Sequence, residues 1–154
     1  MKKINVREKP KGLYKFFSRI PGHLYRLGLS KPFEANTLVL YTKGRKTGRH
    51  ISIPVGFGKI ENKIYIAALY ESSDWYQNVL KNPEVELKMG RKKMKAQAFK
   101  VEDPNEKAKA YRAIVRTQGK KGAEKYYYVK PGMSEEEIGG VGKGLPIMRF
   151  EIKY

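Results

Sequence analysis

Cysteine is absent from the 154-residue chain, and that absence excludes disulfides, iron–sulfur clusters, thiolate zinc sites and a cysteine nucleophile together. Imidazole is scarce too. Only His23 and His50 could supply it, so no metal centre is expected. Acidic residues are few, 15 Asp and Glu against 33 Lys and Arg, leaving a net charge of +18. No apolar run approaches the ~20 residues that a membrane-spanning helix needs. The opening Met1 to Arg7 carries charge with no apolar stretch behind it, so no secretory signal is expected. The Rossmann glycine fingerprint and the Walker loop are both missing. These absences describe a cytoplasmic protein without thiol, metal or classical nucleotide-loop chemistry.

What is present suffices for an ordered core. Forty per cent of residues are hydrophobic and 12% aromatic, too many for a disordered chain. The length fits one domain spanning 1–154. The positive charge favours anionic partners: nucleic acid, lipid headgroups or a polyanionic cofactor. A Lys-rich surface without a specific ligand would give the same number. Residues 1–33 carry nine basic side chains and one acid, Glu8. Leu13, Phe16, Phe17 and Ile20 share one face there, so a basic amphipathic helical segment is expected over 1–33. It could cover one end of the domain or lie peripherally on an anionic membrane. No RRM, helix-turn-helix or zinc pattern accompanies the charge, so no specific nucleic acid is expected, and a basic nucleic-acid module ranks third among the readings.

From residue 37 the periodicity changes. Thr37–Thr42 is β-rich, Ile51–Phe57 alternates with period two, and a turn at Glu61-Asn62-Lys63 leads into Ile64–Tyr70. Pro54 cannot donate a ladder hydrogen bond, which places its strand at an edge or a bulge. Ser72-Ser73-Asp74 is a helix N-cap for Trp75–Leu80, and Asn82-Pro83 ends that helix. Strands follow at Val85–Met89 and Met94–Val101. Asp103-Pro104-Asn105-Glu106, with Asp103 as N-cap and Glu106 at the capping-box position, starts a helix expected to run to about Thr117 and stop at Gly119. Residues 120–145 read as irregular, with a short capped turn at Ser134–Glu137, and Pro146–Ile152 as a last strand. Antiparallel strands with outer helices imply an α+β, barrel-like fold.

Two segments carry candidate chemistry. Gly44-Arg45-Lys46-Thr47-Gly48-Arg49 joins two strands. Its glycines permit close backbone approach, and its cations and hydroxyl suit a phosphate, although a solvated hairpin tip has the same composition. Asp74-Trp75-Tyr76-Gln77-Asn78 opens a helix whose first amides are unpaired, and Trp75 could equally be a core anchor.

In this order and spacing, the two segments resemble the deazaflavin (coenzyme F-420)-dependent nitroreductase and quinone reductase family. The matching residues are Thr42-Lys43-Gly44-Arg45-Lys46-Thr47-Gly48, Ala67-Ala68, and Trp75-Tyr76-Gln77-Asn78-Val79-Leu80-Lys81-Asn82-Pro83-Glu84-Val85. The resemblance implies a mostly antiparallel split β-barrel, of the FMN-binding or pyridoxamine-phosphate-oxidase type, with flanking helices. It implies hydride transfer from reduced coenzyme F-420 to a small-molecule acceptor, whether quinone, nitro compound or enone. The alternative is an FMN-binding split-barrel flavoprotein. Under the resemblance, Arg45, Lys46, Thr47 and Gly48 hold the cofactor phosphate, and Ser52 to Pro54 lie beside the ring. The family often carries a further basic residue where Ile51 stands, and Arg49, displaced from that position, is the candidate to compensate. Ala67 and Ala68 offer it a backbone wall, and Asp74, Trp75, Tyr76 and Asn78 form the opposite side. Tyr126, within Tyr126-Tyr127-Tyr128, is the candidate to close the pocket or donate a proton. The Tyr70–Ser73 loop lacks the glycines of the family's cofactor-wrapping stretch. Split barrels occur singly or paired, so monomer and homodimer are both expected.

Overall fold

The computed structural model describes residues 36–154, and the expected helical segment over 1–33 lies outside the described residues. Seven strands form one curled antiparallel sheet: β1 (Thr37–Lys43), β2 (His50–Gly56), β3 (Gly58–Ile60), β4 (Lys63–Ala67), β5 (Glu84–Met89), β6 (Lys92–Lys100) and β7 (Ile147–Ile152). Their spatial order is β2-β1-β5-β6-β7-β4-β3. Three helices lie among the described residues: α1 (Asp74–Lys81), α2 (Pro104–Tyr126) and α3 (Glu135–Lys143). The architecture is the α+β arrangement that alternating strand patterns and outer helices imply.

Alternation along the strands divides the apolar residues between two cores. Leu38 and Leu40 of β1, Ile64 and Ile66 of β4, Leu87 of β5 and Phe150 of β7 point into the curl, where Trp75, Tyr76 and Val79 of α1 join them. On the convex side, Tyr65 and Ile147 meet Tyr111 and Ile114 of α2 and Ile138 and Val141 of α3. Helix α1 therefore belongs to the inner core, while α2 and α3 cover the outside. Each fully buried Leu or Ile contributes about 1.5–3 kcal/mol through lost water contact.

Pro54 lies on β2, at one end of the strand order, and pairs with Val39 of β1. That edge position tolerates the missing donor. The period-two run breaks after Gly56, and the next strand pairs with β4 instead. A Cβ on Gly58 would lie 2.5 Å from the Ile114 backbone nitrogen and 2.7 Å from the Ala113 carbonyl carbon. Only glycine lets α2 approach β3 this closely. Strand β4 ends at Ala67 rather than Tyr70. Ala68 N–H donates to the Pro146 carbonyl at 2.9 Å, and the chain then turns toward α1.

Three further expectations need correction. Ser73 occupies the N-cap position of α1, but its side chain makes no capping bond. Asp103 caps α2 through Asn105 and Glu106 amides at 3.3 Å each. Glu106, however, does not return to the cap, because its carboxylate accepts from Arg149 Nη1 at 2.6 and 2.8 Å. Finally, 120–145 is not irregular. Gly119, at φ 76°, interrupts the helix, but helical geometry resumes to Tyr126, and α3 follows behind a reciprocal Ser134–Glu137 capping box. A single glycine kinks a helix where flanking residues still favour one.

Candidate functional site

The Gly44–Arg49 segment links β1 to β2 and is closed by its own backbone. Gly44 N–H donates to the Arg49 carbonyl at 2.8 Å, and Gly48 N–H to the Gly44 carbonyl at 2.9 Å. Gly48 has φ 70°, a left-handed conformation that glycine adopts without steric cost. Thr47 Oγ1 accepts from the Arg49 amide at 3.3 Å. These bonds fix a compact loop with Lys46, Thr47, Gly48 and Arg49 exposed on its rim. None of the ion pairs among the described residues involves Lys46 or Arg49.

Arg45 behaves differently. Its guanidinium turns back onto α1, donating through Nη1 to Asn78 Oδ1 at 2.8 Å and to the Asp74 carbonyl at 3.4 Å. Nη2 meets the Asp74 carboxylate at 3.3 Å. The Arg45 amide also donates to Asn78 Oδ1, at 3.1 Å. Asn78 is 3% exposed, so this one buried oxygen ties loop to helix. The resemblance sets Arg45 on the cofactor phosphate and Asp74 and Asn78 on the opposite side of the cofactor. In the structure the Arg45 guanidinium is bonded to both, and the three together dock the loop.

The other candidates distribute by strand parity and depth. Ala68 lies in the inner core with Trp75 and Tyr76, whereas Ala67 packs toward the outer cluster. Trp75 and Tyr76 stack edge-on, centroids 5.7 Å apart. Burial, with Glu71 and Glu102 adding to it, raises the Tyr76 hydroxyl above its ordinary range. Pro54 is buried, and Ser52 is exposed opposite Tyr41. Ser52, Tyr41, Lys43, His50, Lys93 and Lys95 line an open groove of about 630 Å³ on the sheet beside the loop. Lys93 Nζ sits over the Tyr41 ring at 4.4 Å and pairs with Glu86 at 3.1 Å. Trp75, Ala67 and Ala68 do not line this groove.

Tyr126, at the end of α2, is half-buried beneath Lys125, whose Nζ lies 5.4 Å from the ring centroid. Its neighbours reach further into the fold. Tyr128 Oη donates to the Leu69 carbonyl at 3.0 Å, and Tyr128 N–H donates to Tyr111 Oη at 3.2 Å. A side chain at Gly56 would collide with the Tyr127 hydroxyl. Burial raises the Tyr111, Tyr127 and Tyr128 hydroxyls, which keeps all three neutral. The three-tyrosine run gave the signal for this region. The choice among its members depends on where the chain turns after α2, which sequence does not supply.

A family model described as F420H2-dependent quinone reductase matches residues 23–127, more than half of the chain. No curated protein matches the sequence. Among solved structures, an F420-H2 dependent reductase, FDR-A, aligns with TM-score 0.54 at 20% identity, over 75% of this chain and 94% of that one. A candidate pyridoxamine 5′-phosphate oxidase from Listeria innocua aligns with TM-score 0.54 at 12% identity, over 85% and 94%. A chain described as a domain-swapped dimer aligns with TM-score 0.54 at 19% identity, over 85% and 99%. The curled sheet is thus a split barrel.

Proposed function

Since the chain belongs to the F420H2-dependent quinone reductase family, we propose that this oxidoreductase binds reduced coenzyme F-420 at the Gly44–Arg49 loop and reduces a quinone-type acceptor. The chemistry such a cofactor supplies is hydride donation. The chain's own work is binding, orientation and exclusion of water.

The observation that carries the reading is the division of labour within the loop. Arg45 and Asn78 hold it against α1, while Lys46, Thr47 and Arg49 remain exposed and outside the ion pairs. That donor set suits a phosphodiester: ammonium and guanidinium charge together with a hydroxyl. Ser52 to Pro54 run away from the loop along β2. Ala67 and Ala68 close β4, with Trp75 and Tyr76 behind Ala68 in the inner core. In this reading a flat ring lies against the β2 and β4 backbones, where small side chains permit approach, and the acceptor enters beside the 126–128 segment. A neighbour described as a domain-swapped dimer makes a homodimer the assembly to check by light scattering.

The test is turnover followed by reduced-deazaflavin oxidation, with quinone, nitroaromatic and enone acceptors offered separately. Quinone-dependent oxidation supports the proposal. Oxidation only with a nitro or enone acceptor corrects the acceptor class, and turnover with reduced FMN alone overturns the cofactor.

A further inference from the structure

Helix α2 kinks at Gly119 and ends at Tyr126, and the next two residues fold back over the sheet. Tyr127 N–H donates to the Ala123 carbonyl at 3.0 Å and Val129 N–H to the Tyr127 carbonyl at 2.7 Å, so the return is tight. Tyr111, fully buried, fixes its height by accepting the Tyr128 amide, and the Tyr111 and Tyr127 rings meet edge-on at 6.2 Å. From this anchored position Tyr128 Oη reaches the Leu69 carbonyl, 59 residues away in sequence, at 3.0 Å.

Leu69 is the first residue after Ala67-Ala68. On its amino side, Ala68 N–H is held by the Pro146 carbonyl at 2.9 Å. On its carboxyl side, Ser73 N–H bonds the Tyr70 carbonyl at 3.2 Å, where the chain turns into α1. The carbonyl between these two points lies beyond the last ladder pair, Ala67 with Ile147, and Tyr128 supplies its hydrogen bond. We propose that Tyr128 is a positioning residue that sets the orientation of the Ala68–Leu69–Tyr70 backbone, and thereby the wall against which the planar ring of the cofactor rests. This rests on the cofactor reading above. It concerns the ring end of the ligand, whereas Lys46 and Arg49 concern the phosphate end. A phenol suits the task because burial keeps its proton on the oxygen, and its rigid ring holds that oxygen at fixed reach.

The experiment compares wild type with Tyr128→Phe, which removes one oxygen and keeps the ring. Two ligands are titrated: coenzyme F-420, and the 8-hydroxy-5-deazaflavin lacking the phosphate. Hydrogen exchange at residues 69–73 and thermal unfolding are recorded in parallel. The expected result is about three- to tenfold weaker binding of both ligands by the same factor, faster exchange confined to 69–73, and a small change in melting temperature. A loss confined to the phosphate-bearing ligand places the effect at the loop and overturns the inference, as does unchanged affinity for both. Binding of neither ligand by wild type overturns the cofactor reading and this inference together, while normal wild-type binding with an unaffected variant overturns this inference alone.

Discussion

Asn78 Oδ1 accepts two hydrogen bonds from Arg45, one from the backbone amide at 3.1 Å and one from Nη1 at 2.8 Å. A loop of six residues is thereby fixed to a helix that begins 25 residues after that loop ends. The relationship makes Asn78→Ala costly, because it strands a backbone N–H and part of a guanidinium. A loss of about 2 kcal/mol is expected in denaturant unfolding, together with weaker cofactor binding. Asn78→Asp keeps an acceptor facing Arg45 and should recover most of that loss. Equal damage from both substitutions would contradict the docking role.

Asp74, also bonded to Arg45, should matter far less. Its side chain is 82% exposed, and exposed ion pairs contribute about 0.5 kcal/mol after screening. Asp74→Asn should shift stability by no more than that, and the shift should vanish in high salt.

Gly58→Ala tests the seat of α2 on the sheet. The new methyl group meets the Ile114 and Ala113 backbone rather than a side chain that could swing away. Destabilisation of about 3 kcal/mol is expected from urea unfolding. A neutral result would mean that α2 slides on β3.

Tyr111 makes stability pH-dependent in the alkaline range. Burial raises its pKa above the ordinary 10.0, and the amide bond from Tyr128 only partly offsets this. The folded phenol therefore keeps its proton where the unfolded one loses it. The stabilisation is complete below about pH 10 and is lost as pH rises above it, by up to about 1.4 kcal/mol per pH unit for one proton. Tyr111→Phe removes this share of the decline and leaves that of Tyr127, whose hydroxyl is raised by the same cause. Unfolding curves between pH 9 and 11 should thus be less steeply pH-dependent in the variant.

Local chemistry explains which parts of this protein are legible in its sequence. The strands announce themselves by alternation, Pro54 by its missing donor at an edge, and the starts of α2 and α3 by Asp103 and Ser134. Boundaries set by distant contacts are not visible. Gly58 opens β3 where α2 packs closely on it, β4 stops at Ala67 where Pro146 captures the next amide, and Gly119 kinks a helix whose flanks continue it. The site follows the same rule. The Gly44–Arg49 loop and the Asp74–Asn78 helix start were readable as motifs. That Arg45 faces Asn78 while Lys46 faces outward depends on loop geometry, and the Tyr128–Leu69 bond depends on a turn between segments 59 residues apart.

The proposed grip on an anionic cofactor rests on the exposed cations of the β1–β2 loop. The most direct measurement is the dissociation constant of coenzyme F-420 for wild type, Lys46→Ala and Arg49→Ala at low and moderate salt, with FMN as comparator. Preferential F-420 binding, weakened at least tenfold by either substitution and by salt while melting temperature is unchanged, is the predicted result. Affinity that both substitutions leave intact would contradict it.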